Sequence, residues 1–270
     1  NALPTRYPGT RSKPAVMRKA FVVGHPIAHS RSPLIHGYWL AQYGLAGRYE
    51  RIDVPPQDFP AFLQEFPDQG YVGGNVTIPH KEAALAGITH ASDRARRLGA
   101  VNTLWLEDGK LYGDNTDITG FLANLDALCP ADWPERAKSA LVLGAGGAAR
   151  AVVAGLAERG LDCIHVVNRS LDKAASLTGL APDQVRAHPL GNLATLLPQA
   201  GLIVNTTSLG MSGQPALEID LAPCRADAIV SDIVYTPLET PLLAQARARG
   251  LLAVDGLGML LHQAVPGFAR

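Results

Sequence analysis

Lys81 in "GGNVTIPHKEA" and Asp117 in "GDNTD" each stand where an apolar run gives way to polar residues, the place where strand ends offer side chains to a ligand. An ammonium held near a carboxylate can hand a proton to an oxygen on which negative charge develops, while the carboxylate orients and balances it. Spacing alone leaves open whether the two meet, because each by itself also reads as a surface charge. In "GHPIAHSRSPLIH", Ser30 and Ser32 flank Arg31, and two hydroxyls with nearby amides suit an anion such as a carboxylate. Ser32 followed by Pro33 is equally a helix opening with Ser32 as the cap, and local pattern supports both readings.

A second constellation is made of small residues. In "ALVLGAGGAARAVVAGLAERG", a run of aliphatic residues enters Gly144, Ala145, Gly146, Gly147, Ala148 and Ala149, and a helical pattern opens at once. This is G-x-G-x-x-[GA] in the strand-turn-helix setting that dinucleotide binding requires. Gly144 permits the tight turn, Gly146 lets backbone approach a pyrophosphate, and Ala149 lets the helix sit close to the strand. The helix start then offers unpaired amides to the phosphates. A turn that merely packs a strand on a helix is the plainer alternative.

The next strand runs into "HVVNRSLDK", with arginine where an NAD-reading fold places a carboxylate for the ribose hydroxyl. Arg169 presents a planar fork suited to a 2′-phosphate, and Ser170 and Lys173 add donors, so the expected cofactor is NADP. An ordinary solvated charge pair is the alternative for Arg169 and Lys173. "NTTSLGM", 205 to 211, falls at the end of another strand, where a nicotinamide ring or a plain turn would fit equally.

The elements that must position these groups follow from the apolar rhythm. From Ala20 onward an apolar run, a Gly/Pro/Ser turn and an amphipathic segment repeat, which predicts α/β architecture with mostly parallel sheet. Strands are expected near 20–25, 49–54, 71–78, 201–205 and 228–233, and helices near 33–43, 57–66, 81–88, 92–98, 117–128 and 239–249. Asp108-Gly109 signals a hairpin. Residues 129–139, "CPADWPERAKS", are polar and proline-bearing and suit a crossing between domains, and 1–17 look like a loose arm.

Composition narrows the partner. The 24 basic and 24 acidic residues balance, so no net field draws nucleic acid or anionic lipid, and a small molecule is expected. No window approaches a membrane span of about 18 apolar residues. The N-terminal stretch has no charged-then-apolar leader. Cys129, Cys163 and Cys224 fit neither a disulfide framework nor a metal-ligand pair, so reduced thiols in a cytoplasmic protein are expected. His25, His29, His36, His80 and His262 form no set at ligand spacing, and no metal is expected.

The ordered segments "GHPIAHSRSPLIH", "GGNVTIPHKEAA", "LGAVNTL", "GDNTD", "VLGAGGAARAV", "NRS", "NTTSLGM", "DIVYTPLETPLL" and "DGLGMLLHQAVPGF" resemble the shikimate dehydrogenase family over nearly the whole chain from about residue 19. The resemblance implies NADPH-dependent reduction of 3-dehydroshikimate to shikimate, a step towards aromatic amino acids, on two domains flanking a cleft. It implies Lys81 and Asp117 as the catalytic pair, and Ser30, Ser32 and Tyr235 at the substrate carboxylate. Around the ring hydroxyls it implies Thr77, Asn102 and Gln263. Gly144 to Ala149 are implied as the pyrophosphate turn, Asn168, Arg169 and Ser170 as the 2′-phosphate site, and Met211 and Gly256 as the nicotinamide surroundings.

The resulting expectation is a substrate domain over 1–120, a Rossmann-like NADP domain over 121–250, and a segment 251–270 packing back on the first, in a monomer or homodimer. Two features depart from the family pattern. Ile118 follows Asp117 where relatives commonly carry glycine, and is expected to reshape the helix start and the cleft wall. The chain stops at "VPGFAR" where relatives carry a further helix, and it has no initiating Met, so the sequence is expected to record part of a longer protein. A quinate/shikimate enzyme preferring NAD, an aminoshikimate-type enzyme and a non-catalytic NADP-binding protein are the alternatives. Arg169 argues against the first, and the presence of Lys81 and Asp117 against the last.

Overall fold

The computed structural model describes residues 17–270, so the arm expected over 1–17 lies, Met17 apart, outside the described residues. Its first half contains β1 (Arg18–Gly24), α1 (Ser32–Gln42), β2 (Gly47–Asp53), α2 (Phe59–Glu65), β3 (Tyr71–Val76), α3 (Lys81–Gly87), β4 (His90–Ala91), α4 (Asp93–Leu98), β5 (Thr103–Glu107) and β6 (Lys110–Asp114). These strands form one sheet in the order β2-β1-β3-β5-β6-β4.

β1 runs parallel to β2 and β3, but β5 runs antiparallel to both β3 and β6, so this sheet is mixed rather than mostly parallel. The reversal between β5 and β6 follows from the predicted hairpin. Asp108 and Gly109 both hold positive φ, 50° and 72°, the geometry of a two-residue turn that can only return the chain antiparallel. Under the sheet, Phe21 meets Phe62 and Phe66 edge-on at 5.2 and 5.1 Å, in a core shared with Val23, Val76 and Leu104.

The second half continues with α5 (Asp117–Leu128), α6 (Trp133–Ala137), β7 (Ser139–Leu143), α7 (Gly147–Glu158), β8 (Cys163–Asn168), α8 (Leu171–Ala175), β9 (Val185–Pro189), α9 (Leu193–Leu196), β10 (Leu202–Asn205), β11 (Ile229–Asp232), α10 (Pro241–Ala248), β12 (Leu252–Val254) and α11 (Leu257–Phe268). The order is β12-β11-β10-β7-β8-β9, parallel throughout, and it reverses beside β7, where an open α/β sheet takes its ligand. Alternation assigns the faces: Ala140, Val142, Leu202 and Val204 join one core, while Leu141, Leu143 and Ile203 join the other. β9 escapes the sequence pattern because it is short and ends on Pro189, tolerated at a sheet edge where no ladder bond is lost.

Residues 129–139 are not a bare crossing. They carry α6, whose Trp133 is buried and donates its indole N–H to Asp126 at 3.0 Å. Two helix crossings then tie the halves together. α5 and α11 approach almost backbone to backbone: a Cβ on Gly120 would stand 2.6 Å from Gln263 Cβ, and one on Gly258 1.8 Å from Asn124 Oδ1. On its other side α5 meets α7 and α4. There Ile118, 1% exposed, packs with Leu98, Ala151 and Ala154, and Arg150 donates to the Leu98 carbonyl at 2.8 Å. Ile118 therefore fills a seam between helices and forms no cleft wall, because the residue after Asp117 on a helix points about 100° away from it.

Candidate active site and dinucleotide turn

Lys81 is the first residue of α3, and the elements around it explain its placement. His80, 1% exposed, lies stacked on Phe59 at 4.2 Å with its Nε2 at 2.7 Å from the Val54 carbonyl, so burial holds its pKa low and pins the helix start. The Lys81 carbonyl in turn accepts from Val101 N at 2.9 Å, bringing the lysine beside Asn102. Lys81 Nζ donates to Asp117 Oδ2 at 2.5 Å, with side-chain exposures of 18% and 8%. Asn102 Nδ2 donates to the other carboxylate oxygen at 2.7 Å. The carboxylate thus has a partner on each oxygen before any ligand arrives, which a buried charge requires.

Asn102 is itself fixed. Its Oδ1 accepts from Thr116 N at 2.9 Å and from Thr103 Oγ1 at 2.9 Å, leaving Nδ2 to face Asp117. Gln263 reaches the cluster from α11: its Oε1 lies 3.5 Å from Asn102 Nδ2, and its carbonyl accepts from Thr116 Oγ1 at 2.8 Å. Lys81, Asp117, Asn102 and Gln263 therefore form one network across three helices and the loop before β5.

Ser30, Ser32, Thr77 and Tyr235 make no hydrogen bond to that network among the described residues. Ser30 and Ser32 sit together, Ser32 N donating to Ser30 Oγ at 3.3 Å, and Arg51 holds the Ser30 carbonyl at 2.9 Å. Ser32 is buried at the first position of α1, whose cap is Arg31 without a side-chain bond, so the capping reading of Ser32 fails. Thr77, half-buried, donates its amide to Val23 at 2.9 Å and presses its methyl where Gly24 would carry a Cβ, next to the loop leading to Ser30. Tyr235 arrives from the loop after β11; burial pushes its phenol up, and the nearby Arg31 guanidinium partly offsets this.

Sequence reasoning missed Tyr49 and Asn75, and weighed His36 only as a metal ligand. Tyr49 donates to Asn75 Oδ1 at 2.6 Å, and Asn75 Nδ2 donates to the Asn102 carbonyl at 3.2 Å, extending the network away from Asp117. Asn75 was findable as a polar residue at a buried position of β3, 7% exposed. His36 stacks on Tyr49 at 4.0 Å with its Nε2 buried and unpartnered, and burial lowers its pKa to about 4.

The glycine turn follows β7. Gly144 holds φ of 105°, and a Cβ there would stand 2.8 Å from Thr206 Oγ1. Gly146 and Gly147 face open space, and α7 begins at Gly147 with no side-chain cap, so its first amides point outward free of protein partners. Ala145 and Ala148 are half-buried, and Ala149 is fully buried against the sheet. A pyrophosphate fits this arrangement: the space two side chains would fill is empty, and the amides need an acceptor.

At the end of β8, Asn168 Nδ2 donates to the Ser170 carbonyl at 2.9 Å, shaping the turn. Arg169 and Lys173 are exposed and enter no ion pair among the described residues, which suits an incoming phosphate. Met211, 40% exposed, lies in the loop after β10. Gly256 is buried against the backbone after β11, where a Cβ would fall 2.2 Å from the Ile233 carbonyl.

Known proteins share this fold. Residues 22–104 match the shikimate dehydrogenase substrate binding domain, and 133–215 match shikimate / quinate 5-dehydrogenase. A Methylobacterium radiotolerans protein named shikimate dehydrogenase (NADP(+)) is 64% identical over 252 residues, 93% of this chain and 89% of that protein. Shikimate 5-dehydrogenase from Thermus thermophilus, solved with NADP(H) and shikimate, is 38% identical with a TM-score of 0.82, covering 93% of this chain and 92% of that one. Quinate dehydrogenase from Corynebacterium glutamicum, solved with NAD, is 31% identical with a TM-score of 0.86 over 93% and 92% of the two chains. A lysine–carboxylate pair at the end of one sheet, a dinucleotide turn at the end of the other and identity at this level along nearly the whole length make one assignment: the chain belongs to the shikimate dehydrogenase family.

Proposed function

We propose that the protein is an NADP-dependent shikimate dehydrogenase, interconverting 3-dehydroshikimate and shikimate. The observation that carries this reading is the buried Lys81–Asp117 pair held by Asn102. A hydroxyl or ketone oxygen within reach of Lys81 Nζ receives its proton as negative charge grows on it, and gives it back in the reverse direction. Asp117 keeps the ammonium aimed and balances it; Asn102 prevents the carboxylate from turning away. NADPH, when bound, supplies the hydride.

Ser30, Ser32 and Tyr235 would take the substrate carboxylate through their hydroxyls, with Arg31 adding positive charge at that end. Thr77, Asn102 and Gln263 would hold the ring hydroxyls. Gly144 to Ala149 would hold the pyrophosphate through backbone amides, and Asn168, Arg169, Ser170 and Lys173 the 2′-phosphate, a group that exposed cations outside any ion pair accept. Met211 and Gly256 would flank the nicotinamide. The working units would be residues 1–120 for substrate and 121–250 for cofactor, with 251–270 returning to the first, in a monomer or homodimer. Three free thiols favour the cytoplasm. No helix among the described residues is long and apolar enough to cross a membrane.

Steady-state oxidation of shikimate and quinate with NADP and with NAD tests this. Shikimate with NADP should be the preferred pair. Lys81→Ala should lose about 10²- to 10⁴-fold in kcat, the range for a positioned acid or base, while NADP still binds. Absence of turnover of either acid by the wild type would end this reading.

A further inference from the structure

The second sheet carries one buried carboxylate for which the proposed reaction has no use. Asp232, at the last position of β11, is wholly buried, as are Asn205 and Thr240 beside it. Its Oδ1 accepts from Asn205 Nδ2 at 3.0 Å and from Val234 N at 3.0 Å, and its Oδ2 accepts from Thr240 Oγ1 at 2.7 Å. Three donors reach one carboxylate from three segments.

Each donor continues outward. Asn205 Oδ1 accepts from Thr207 N and Thr207 Oγ1 at 3.0 and 2.7 Å, and its Nδ2 also reaches the Leu209 carbonyl at 3.1 Å. Thr207 Oγ1 then accepts from Leu209 N at 3.1 Å, so the turn that presents Met211 is wound around Asn205. Val234 N directly precedes Tyr235. The two loops meet again where Ser212 N donates to the Thr236 carbonyl at 2.8 Å. Thr240 caps α10 through Leu243 N at 3.3 Å and closes the loop that carries Tyr235, with its Cβ 3.6 Å from where Gly210 would carry one.

We infer that Asp232 is a positioning residue for the reaction, setting the loop of Met211 and the loop of Tyr235 in one fixed relation through Asn205 and Val234. Through these arms it aligns the side of the site that would hold the nicotinamide with the tyrosine that would hold the substrate carboxylate. The inference rests on the roles proposed above for Met211 and Tyr235. It adds that the relation between cofactor and substrate is set on this side by one buried charge that touches neither.

The test uses the whole chain. Wild-type turnover of shikimate with NADP is measured first, since its absence would condemn the functional reading and not this one. Asp232→Ala removes the acceptor of all three donors and should lose at least tenfold in kcat and raise the shikimate KM several-fold. Its affinity for adenosine 2′,5′-bisphosphate, which probes only the far end of the cofactor site, should stay within twofold. Leu196→Ala removes buried apolar contact at α9 and no hydrogen bond of the cluster, and should lower Tm while keeping kcat within twofold. Should Asp232→Ala fail to fold, Thr207→Val cuts the loop arm alone and should lose kcat with Tm unchanged. Wild-type kinetics in Asp232→Ala, wild-type kcat in Thr207→Val, or an equal kcat loss in Leu196→Ala would overturn the inference, the last because activity would then follow stability and not loop alignment.

Discussion

The two sheets offer their ligand-facing ends in different materials. At the end of the first, nearly everything is side chain, buried and already partnered: Asp117 by Lys81 and Asn102, Asn102 by Thr116 and Thr103, Asn75 by Tyr49. At the end of the second, the turn after β7 is backbone left open, with two exposed glycines and an uncapped helix start, and two exposed cations follow β8. A group that must keep a proton at one point is locked before substrate arrives, because reorganisation during reaction is costly. A group that only holds phosphates can leave its donors waiting, since water satisfies them until the ligand does.

That contrast can be broken experimentally, beginning where the halves join. Ile118→Ala empties part of the seam between α5, α4 and α7 and should cost about 2–5 kcal/mol in urea unfolding, as for other large-to-small core changes, with the shikimate KM within twofold. A shifted KM with unchanged stability would return Ile118 to the cleft wall.

The locked half should also hold the group most sensitive to acid. Folded His36 takes its proton only near pH 4, an unfolded imidazole near 6.5, so between these values the unfolded chain binds more protons. Stability is then full above about pH 6.5 and falls by about 3 kcal/mol as pH drops towards 4, since each tenfold difference in proton affinity between the two states is worth roughly 1.4 kcal/mol. Urea titrations at several pH values should show this fall, and His36→Phe should flatten it. An unaltered slope in that variant would assign the acid sensitivity elsewhere.

The smallest effect belongs to the open half. Arg169→Ala should raise the NADP KM by roughly ten- to a hundredfold, the equivalent of about 1.5–3 kcal/mol for a charged hydrogen bond, and leave the NAD and shikimate KM values unchanged. A change in the shikimate KM would mean that the two halves are not independent in the way their construction suggests.

The open half was legible in the sequence and the locked half only in part, for the same physical reason. The glycine turn, Arg169 and the Asp108-Gly109 hairpin are contiguous, so local conformational demands write them into short stretches of chain. Lys81 and Asp117 are 36 positions apart and Asn102 and Gln263 161 apart, and nothing local says that they touch; the family resemblance supplied their grouping. Tyr49, His36 and Asp232 gave no signal, because their roles consist of partners brought by other strands. β4 and β12, of two and three residues, are too short for a period to register, and the polar surface of 129–139 concealed the helix around Trp133.

The close crossing of α5 and α11 has a consequence in time. Gln263 and the carbonyl that accepts from Thr116 belong to residues 257–268, so the first sheet's network lacks a member until that stretch has been synthesised. A nascent chain reaches β12 and Gly256, the last pieces of the cofactor side, just before it reaches Gln263, so the proton-handling site is the later of the two to be completed.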